Sequence, residues 1–182
     1  MDIDGILKSI EGWSLATAIR NGLYSFPMLE SIHVIGLAVV FGTILIVDLR
    51  LMGVASISRP FQRMAPEILK WTWVGFAITL ITGALMFTTN ATVYFHNTYF
   101  RIKMLLLLLA GVNMGIFELT TGKRAQQWGQ EASTPPAART AARLSLLIWV
   151  GVIITGRLIG FTTSRAAAPP PPSDINFDDF LK

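Results

Sequence analysis

The ionisable side chains of Glu30, His33 and Arg157 stand inside long apolar stretches of this chain of 182 residues. Glu30 and His33 are three residues apart and are therefore neighbours on a helix surface. Charge is costly inside a bilayer, so an ionisable residue within an apolar span is a candidate functional residue. An imidazole can ligate haem iron, a guanidinium can pair with carboxylates, and the set can carry protons or contact a quinone.

The elements that must position these residues are four apolar stretches of membrane-spanning length. An α-helix crosses ~30 Å of hydrocarbon with ~20 residues. The composition, 52% hydrophobic and 14% charged, agrees with this interpretation. We predict an all-α polytopic membrane protein, a compact bundle of four transmembrane helices within residues 23–165. The predicted spans cover about 28–53, 68–89, 100–119 and 144–163.

Residues 1–22 are predicted to form an interfacial amphipathic helix. Apolar side chains recur at helical spacing from Ile3 to Ile19, and Asp4 and Lys8 lie largely off that stripe. Trp13 is the predicted headgroup anchor, and Asn21-Gly22 ends the helix. Residues 90–99 are predicted as a short polar-aromatic link, and 120–143 as a longer soluble loop.

The basic residues predict an orientation. Eight lie near the 54–67 and 120–143 loops and six on the other side, so these loops are predicted to be cytoplasmic. Both termini then lie outside, which for a bacterial inner (cytoplasmic) membrane means the periplasm.

With this topology, several residues reach a similar depth in the outer leaflet. His33 lies roughly 8 Å inside span one and Arg157 roughly 9 Å inside span four. Span two ends on that side, and span three begins there. We predict an intramembrane polar cluster of Glu30, His33 and Arg157. The candidate cofactor-binding residues are His33, Met86, Arg101, Lys103 and Arg157.

The cofactor stays open at this point, and four interpretations compete. Glu30 and Arg157 could form a structural ion pair while His33 hydrogen-bonds across helices. His33 could ligate haem b, with cations beside the propionates. Copper at His33 with methionine thioethers is less favoured, and proton or quinone roles complete the set. The other imidazole, His96, is interpreted as interfacial rather than as a second haem ligand, and the chain has no cysteine.

Other residues are assigned structural roles. Gly111 and Gly115, and likewise Gly156 and Gly160, form small-xxx-small pairs that favour close helix packing, within the bundle or with a partner. Asp48 is interpreted as an interfacial charged residue that pairs with Arg50.

The C-terminal tail, residues 166–182, contains a proline run that favours a stiff spacer. Its last part is interpreted as a docking peptide, with a disordered tail as the alternative. The predicted partner-docking residues are Ile175, Phe177, Asp178, Asp179, Phe180 and Leu181.

The function predicted from these features is a non-catalytic membrane subunit. It would anchor or brace a larger complex, redox or energy-converting, with the bilayer and other subunits or further copies of itself as partners. No catalytic constellation is present, so enzymatic activity by the chain alone is not expected. Nucleic-acid binding is not expected either. The alternatives are a haem b electron-transfer protein using His33, and copper or proton transport.

A set of motifs carries a family resemblance. They are Tyr24-Ser-Phe-Pro27, Glu30-Ser-Ile-His33, Asp48-Leu-Arg-Leu-Met-Gly53, Asn97-Thr-Tyr-Phe-Arg-Ile-Lys103, Ala110-Gly-Val-Asn113 and Gly156-Arg157. With them the chain resembles an uncharacterised family of small bacterial four-helix membrane proteins from Trp13 to about Phe161. The plan is more remotely similar to b-type cytochrome and copper-resistance membrane domains, which implies haem or copper. Relatives carry a His late in span three, where this chain reads Gly115-Ile-Phe-Glu118, and this departure implies a scaffold without the cofactor if that His is a ligand.

Overall fold

The computed structural model describes residues 2–55, 61–117, 119 and 134–167, and for 61–66 and 164–167 only the helical backbone. All the elements it describes are helices. The predicted docking residues of the tail lie outside the described residues. The helices are α1 (Ile3–Glu11), α2 (Ser14–Asn21), α3 (Ser25–Met52), α4 (Phe61–Thr89), α5 (Ala91–His96), α6 (Thr98–Phe117) and α7 (Pro136–Ala167).

Four helices in the described part of the chain are long and apolar enough to cross a membrane. They lie at Ser25–Met52, Glu67–Thr89, Thr98–Phe117 and Pro136–Thr163. The predicted all-α, four-helix membrane fold is thereby confirmed, and the chain is a multi-pass membrane protein. Below, the end of the bundle that carries α5 is called the α5 end. The opposite end, where α3 finishes, is called the Asp48 end.

The N-terminal segment differs from the single helix that was predicted. Asp2 caps α1 by accepting a hydrogen bond from the Gly5 N–H at 3.1 Å. The helix stops at Gly12, and Trp13 has extended backbone with φ −61° and ψ 143° before α2 begins. The break lets the two short helices pack on different partners: α1 on α5, and α2 on α3 and α4.

Helices α3 and α4 cross closely where two glycines meet. A Cβ atom on Gly36 would stand 3.3 Å from the Gly75 carbonyl oxygen, and one on Gly75 would stand 3.1 Å from the Gly36 carbonyl oxygen. Only hydrogen atoms fit between the two backbones at this crossing. Closer to the Asp48 end, the Thr72 hydroxyl donates a hydrogen bond of 2.9 Å to the Thr43 hydroxyl and joins the same two helices.

The main apolar core joins α3, α6 and α7. Val40, Trp149 and Val152 are buried at its centre, with α6 side chains packed against them. A second cluster of Leu51, Ala138 and Ala142 lies at the Asp48 end. The extensive packing is α3 on α4, α6 on α7, and α3 on α7, whereas α4 and α6 share at most a marginal contact. The bundle is therefore open between α4 and α6 rather than closed into a ring.

Two connections differ from the prediction. The link predicted at 90–99 contains the short helix α5, and Asn97 begins α6. In the loop predicted at 120–143, α7 already begins at Pro136, so Arg139 and Arg143 belong to a helix. Proline suits the first turn of a helix, because its missing N–H would have no partner there.

Candidate functional site

The candidate site lies at the α5 end, where His33 of α3 faces α4. The His33 Nδ1 atom is 2.9 Å from the Thr82 hydroxyl oxygen. That hydroxyl donates its one hydrogen to the Ile78 carbonyl at 2.7 Å, so it accepts from His33. The proton of the neutral imidazole is thus on Nδ1, and the lone pair is on Nε2. The Thr79 backbone makes a further hydrogen bond with the imidazole.

The imidazole is held in place from a second side by Gly83. A Cβ atom on Gly83 would stand 3.0 Å from the His33 Cε1 atom, so the ring packs directly on the α4 backbone. A histidine that is oriented by a hydrogen bond at one nitrogen and free at the other has the arrangement found in metal-ligating histidines.

Lys103 of α6 is the charged residue that acts on His33. Its side chain lies against α7, with Nζ and Cε within 3.7 and 3.9 Å of the position that a Cβ on Gly156 would take. Lys103 is partly buried, and within the described ranges its ammonium has neither a hydrogen bond nor an ion pair. A lysine placed between apolar helices without a counter-ion is energetically costly.

The other predicted site residues lie apart from this pair. Arg157 is exposed, and its guanidinium carbon is 4.9 Å from the centre of the Phe161 ring. Arg101 donates from Nε to the Phe95 carbonyl at 3.0 Å and covers the Phe95 ring. Glu30 is exposed, and Met86 is partly buried one turn beyond Thr82 on α4. Of the predicted basic residues, Lys103 is therefore the one whose charge acts on His33, whereas the Arg157 guanidinium lies over the Phe161 ring.

His96 is placed away from His33. Its Nδ1 atom is 3.0 Å from the Thr92 carbonyl oxygen, and its Nε2 atom is 3.7 Å from the Asp4 carboxylate, an ion pair if the ring is protonated. The ring is exposed and lies between α5 and α1. This position fits the interpretation of His96 as an interfacial residue. Among the described residues, no group of three or more His, Asp or Glu is placed to hold a metal ion.

Aromatic rings join α4 and α6 at the α5 end. Phe87 and Phe100 are stacked with ring centres 5.4 Å apart, and Tyr94 of α5 lies 6.4 and 6.1 Å from them. Burial, and after it the charge of Glu30, raises the pKa of the Tyr94 phenol. These rings lie across the α5 end of the opening between α4 and α6.

Two side chains from the N-terminal helices tie this end together. The Glu11 carboxylate accepts from the Thr92 N–H at 2.7 Å, and so caps α5. Arg20 donates to the Thr89 carbonyl at 2.9 Å and to the Glu11 carbonyl at 3.1 Å. These bonds satisfy backbone groups at helix ends that would otherwise lack partners.

Asn97 holds α6 against α7. Its side-chain oxygen accepts from the N–H groups of Tyr99 and Phe100 at 2.9 and 3.2 Å. Its side-chain nitrogen donates to the Thr162 hydroxyl at 2.8 Å. One residue therefore begins α6 and sets the height of α6 on α7, which places Lys103 beside Gly156.

Sequence reasoning missed Thr82 as the partner that orients His33. Its signal was a hydroxyl next to Gly83 in an otherwise apolar turn. It also assigned Asp48 to the interface with Arg50 as its partner. In the structure the Asp48 side chain is 5% exposed, and it hydrogen-bonds to Ser145 of α7.

The pair formed by His33 and Lys103 has a definite chemical capacity. The Nε2 lone pair can ligate a metal ion or accept a hydrogen bond, and the ammonium can pair with a carboxylate or a carbonyl oxygen. Both stand in the half of the bundle that is open between α4 and α6. The arrangement suits a lipophilic ligand that carries an acidic or carbonyl group.

Comparison with known proteins gives one positive result. No curated protein matches the chain, and no solved structure matches it. A family model matches residues 14–162, which is most of the chain and includes all four spans. The chain therefore belongs to DUF6644, a family of unknown function.

Proposed function

We propose that this protein is a membrane subunit that holds haem b in the half of the bundle at the α5 end. The observation that supports this proposal most directly is the tautomer of His33. Its Nδ1–H donates to the Thr82 hydroxyl, so Nε2 keeps its lone pair. Lys103, without a counter-ion in the described part of the chain, supplies a positive charge for a propionate. When bound, haem would supply reversible one-electron transfer.

The chemistry of the residues fits this group. Thr82 and Gly83 fix the imidazole plane, as the groups that hold the other ring nitrogen of a metal-ligating histidine do. The opening between α4 and α6 is lined by apolar helices and crossed by aromatic rings at one end. His96 is turned towards Asp4, so His33 is the one imidazole we assign to the iron.

The test is an absorption spectrum of the full-length protein gently purified from its native membrane, oxidised and then reduced with dithionite. We expect a b-type spectrum that is lost in His33→Ala and retained in His96→Ala, the matched control. In Lys103→Gln we expect a weaker haem association with the band position nearly unchanged, because the lysine touches a propionate and not the iron. A colourless wild-type protein with intact helical content would rule the proposal out.

A second candidate function is the bracing of a larger complex without a cofactor, and a separate observation favours it. A Cβ atom on Gly111 or Gly115 would have no neighbour within 4 Å, so this small-xxx-small pair of α6 has no partner helix in the described part of the chain. Gly36 of α3 and Gly75 of α4 are packed against each other, in contrast to this pair. Such a pair suits close contact with a helix of another subunit or a second copy.

Co-purification from the native membrane tests this candidate. Gly111→Leu combined with Gly115→Leu is expected to remove stoichiometric companions, whereas Gly42→Leu, at another open glycine, is the control. Deleting residues 169–182 tests the docking role of the tail in the same assay. Unchanged companions in both altered proteins would argue against a bracing role.

Copper or proton transport is the third candidate, and it stands on the same polar residues. Metal analysis of wild type and His33→Ala tests the copper version, and proton flux in Arg157→Ala tests the transport version. We also propose a bacterial inner membrane with both termini in the periplasm, which the distribution of basic residues supports. Labelling of single introduced cysteines from either side would decide the orientation.

A further inference from the structure

Asp48 is a second buried polar residue, and nothing in the proposed cofactor site uses it. It lies near the end of α3 with its side chain 5% exposed. The carboxylate hydrogen-bonds to Ser145 of α7. Its Oδ2 atom is buried and has no hydrogen-bond partner among the residues that the structure describes. A buried acceptor oxygen without a partner is uncommon and calls for an explanation.

Polar side chains from α3 and α6 reach the same stretch of α7. Asp48 of α3 bonds to Ser145, and Asn113 of α6 donates to the Ala141 carbonyl at 3.1 Å, one turn before Ser145. Leu51, Ala138 and Ala142 form an apolar cluster of α3 and α7 on neighbouring turns of the same helices.

Charged groups on the neighbouring helices do not neutralise the carboxylate. Within the described residues no ion pair of Asp48 is found, and the contact between His96 and Asp4 lies at the other end of the bundle. On α7, Arg143 is exposed, and the Nε of Arg139 is itself buried without a partner. On α4, Glu67 and Lys70 are exposed, and the spanning part of α6 near Asn113 contains no charged residue. An ionised carboxylate in this position would be desolvated without compensation, which is strongly unfavourable.

We propose that Asp48 binds a singly charged cation, either a proton or a sodium ion, in the part of the bundle where α3, α6 and α7 pack together. A proton would make the carboxyl neutral without further ligands. A sodium ion would use the Oδ2 atom together with nearby oxygen atoms, of which the Ser145 hydroxyl is one. Both satisfy the oxygen that lacks a partner and remove the uncompensated charge.

This site is independent of the proposed haem site. Asp48 and His33 are fifteen residues apart on α3, roughly 22 Å along the helix axis. The core residues Val40, Trp149 and Val152 lie between them. The loss of one site therefore leaves the other intact, and a failure of the haem proposal would not affect this one.

The experiment uses the full-length wild-type protein in lipid bilayers, because a labelling assay needs no variant that could misfold. A hydrophobic carbodiimide reacts with protonated carboxyl groups in apolar surroundings, and peptide mass spectrometry locates the label. The protein is treated in choline chloride and in sodium chloride at equal ionic strength. Infrared difference spectra of wild type against Asp48→Asn, with Glu67→Gln as the exposed-carboxylate control, report the form of the Asp48 carboxyl.

Each outcome decides the question. Labelling of Asp48 in choline that sodium suppresses assigns a sodium site that exchanges with protons. Labelling that is equal in both salts, or a protonated-carboxyl band that only Asp48→Asn removes, assigns a proton site. An ionised Asp48 carboxylate in the infrared spectrum, with no labelling in either salt and thermal unfolding unaffected by sodium, would overturn the proposal.

Discussion

At the α5 end, polar side chains hydrogen-bond to the ends of neighbouring helices, and nearly every one has a partner. Arg20, Glu11 and Asn97 together satisfy backbone groups of α4, α5 and α6. At the Asp48 end, Asp48 and Arg139 each keep a buried atom without a partner. The α5 end has exceptions too: among the described residues the buried Thr92 hydroxyl oxygen has no partner, and the Lys103 ammonium has neither a hydrogen bond nor an ion pair.

This difference separates polar groups that stabilise the fold from polar groups that could bind a ligand. Hydrogen bonds that close helix ends stabilise the fold and leave nothing for a ligand. Groups that the fold orients but does not satisfy are the ones a ligand can complete. Of the groups that meet this criterion, we select His33 with Lys103 as the candidate for a lipophilic cofactor and Asp48 as the candidate for a small cation. Four predictions, each based on amino-acid substitutions, test whether the two ends are as independent as this comparison implies.

The largest effect is expected from Gly36→Val, at the crossing of α3 and α4. A Cβ there meets the Thr79 hydroxyl at 2.7 Å and the Gly75 carbonyl at 3.3 Å, so the helices must separate. We expect a loss of at least about 3 kcal/mol of stability and of the His33–Thr82 contact. Gly42→Val is the control, because its Cβ meets nothing within 4 Å. Unfolding in mixed micelles measures both, and equal losses would contradict the packing described.

Lys103→Met is expected to stabilise the cofactor-free protein. The ammonium has no counter-ion among the described residues, so an apolar side chain of similar length removes a desolvation cost of about 1–3 kcal/mol. Lys70→Met, at an exposed lysine near the other end, is expected to change little. The same unfolding assay compares them. Destabilisation by Lys103→Met would mean that the ammonium has a structural role.

Asn97 and Asn113 offer a matched pair, one at each end. Asn97→Ala removes the cap of α6 and the bond to Thr162, whereas Asn113→Ala removes one bond to Ala141. We expect a loss of about 2 kcal/mol for Asn97→Ala and about 1 kcal/mol for Asn113→Ala. Asn97→Asp should recover the cap but not the bond to Thr162. A larger loss of stability for Asn113→Ala than for Asn97→Ala would contradict the conclusion that the stabilising polar contacts are concentrated at the α5 end.

The smallest effect concerns the pH dependence at Tyr94. Its pKa is raised, so the folded state favours the neutral phenol. The contribution to stability is complete below the unfolded pKa of about 10 and is lost as pH rises through the higher folded pKa. Phenolate absorbance of wild type minus Tyr94→Phe isolates this group. Glu30→Gln should lower the Tyr94 pKa part of the way towards its ordinary value, and an unchanged titration would place Glu30 elsewhere.

The sequence predicted the four spans and their helical nature with bounds that differ from the structure by a few residues at most ends. The larger difference is at α7, which begins at Pro136 rather than near residue 144, because a helix continues past its apolar part when its polar turns also favour helix. Gly36 of α3 and Gly75 of α4 pack as small residues in spans are expected to, whereas Gly111 and Gly115 do not.

For the candidate site, the sequence identified His33 and Lys103 as members of a larger set but not which residues meet. It grouped His33 with Arg157 because both were predicted at a similar depth in the membrane. The rotation of each helix about its own axis could not be predicted, because α3 and α6 are apolar on nearly every face. In a lipid environment, apolar residues give no signal that distinguishes the buried face from the lipid-facing one.

The sequence by itself determined that this protein crosses the membrane with four helices, because span length and apolar character are local properties set by the hydrocarbon thickness. It also determined that ionisable groups stand within those spans. Only the tertiary structure decided that the charge of Lys103 rather than that of Arg157 acts on His33, that Thr82 orients the imidazole, and that Asp48 is buried and bonded to Ser145. Those contacts depend on how each helix is rotated against its neighbours, which close approach at Gly36 and Gly75 and hydrogen bonds such as that of Asn97 establish.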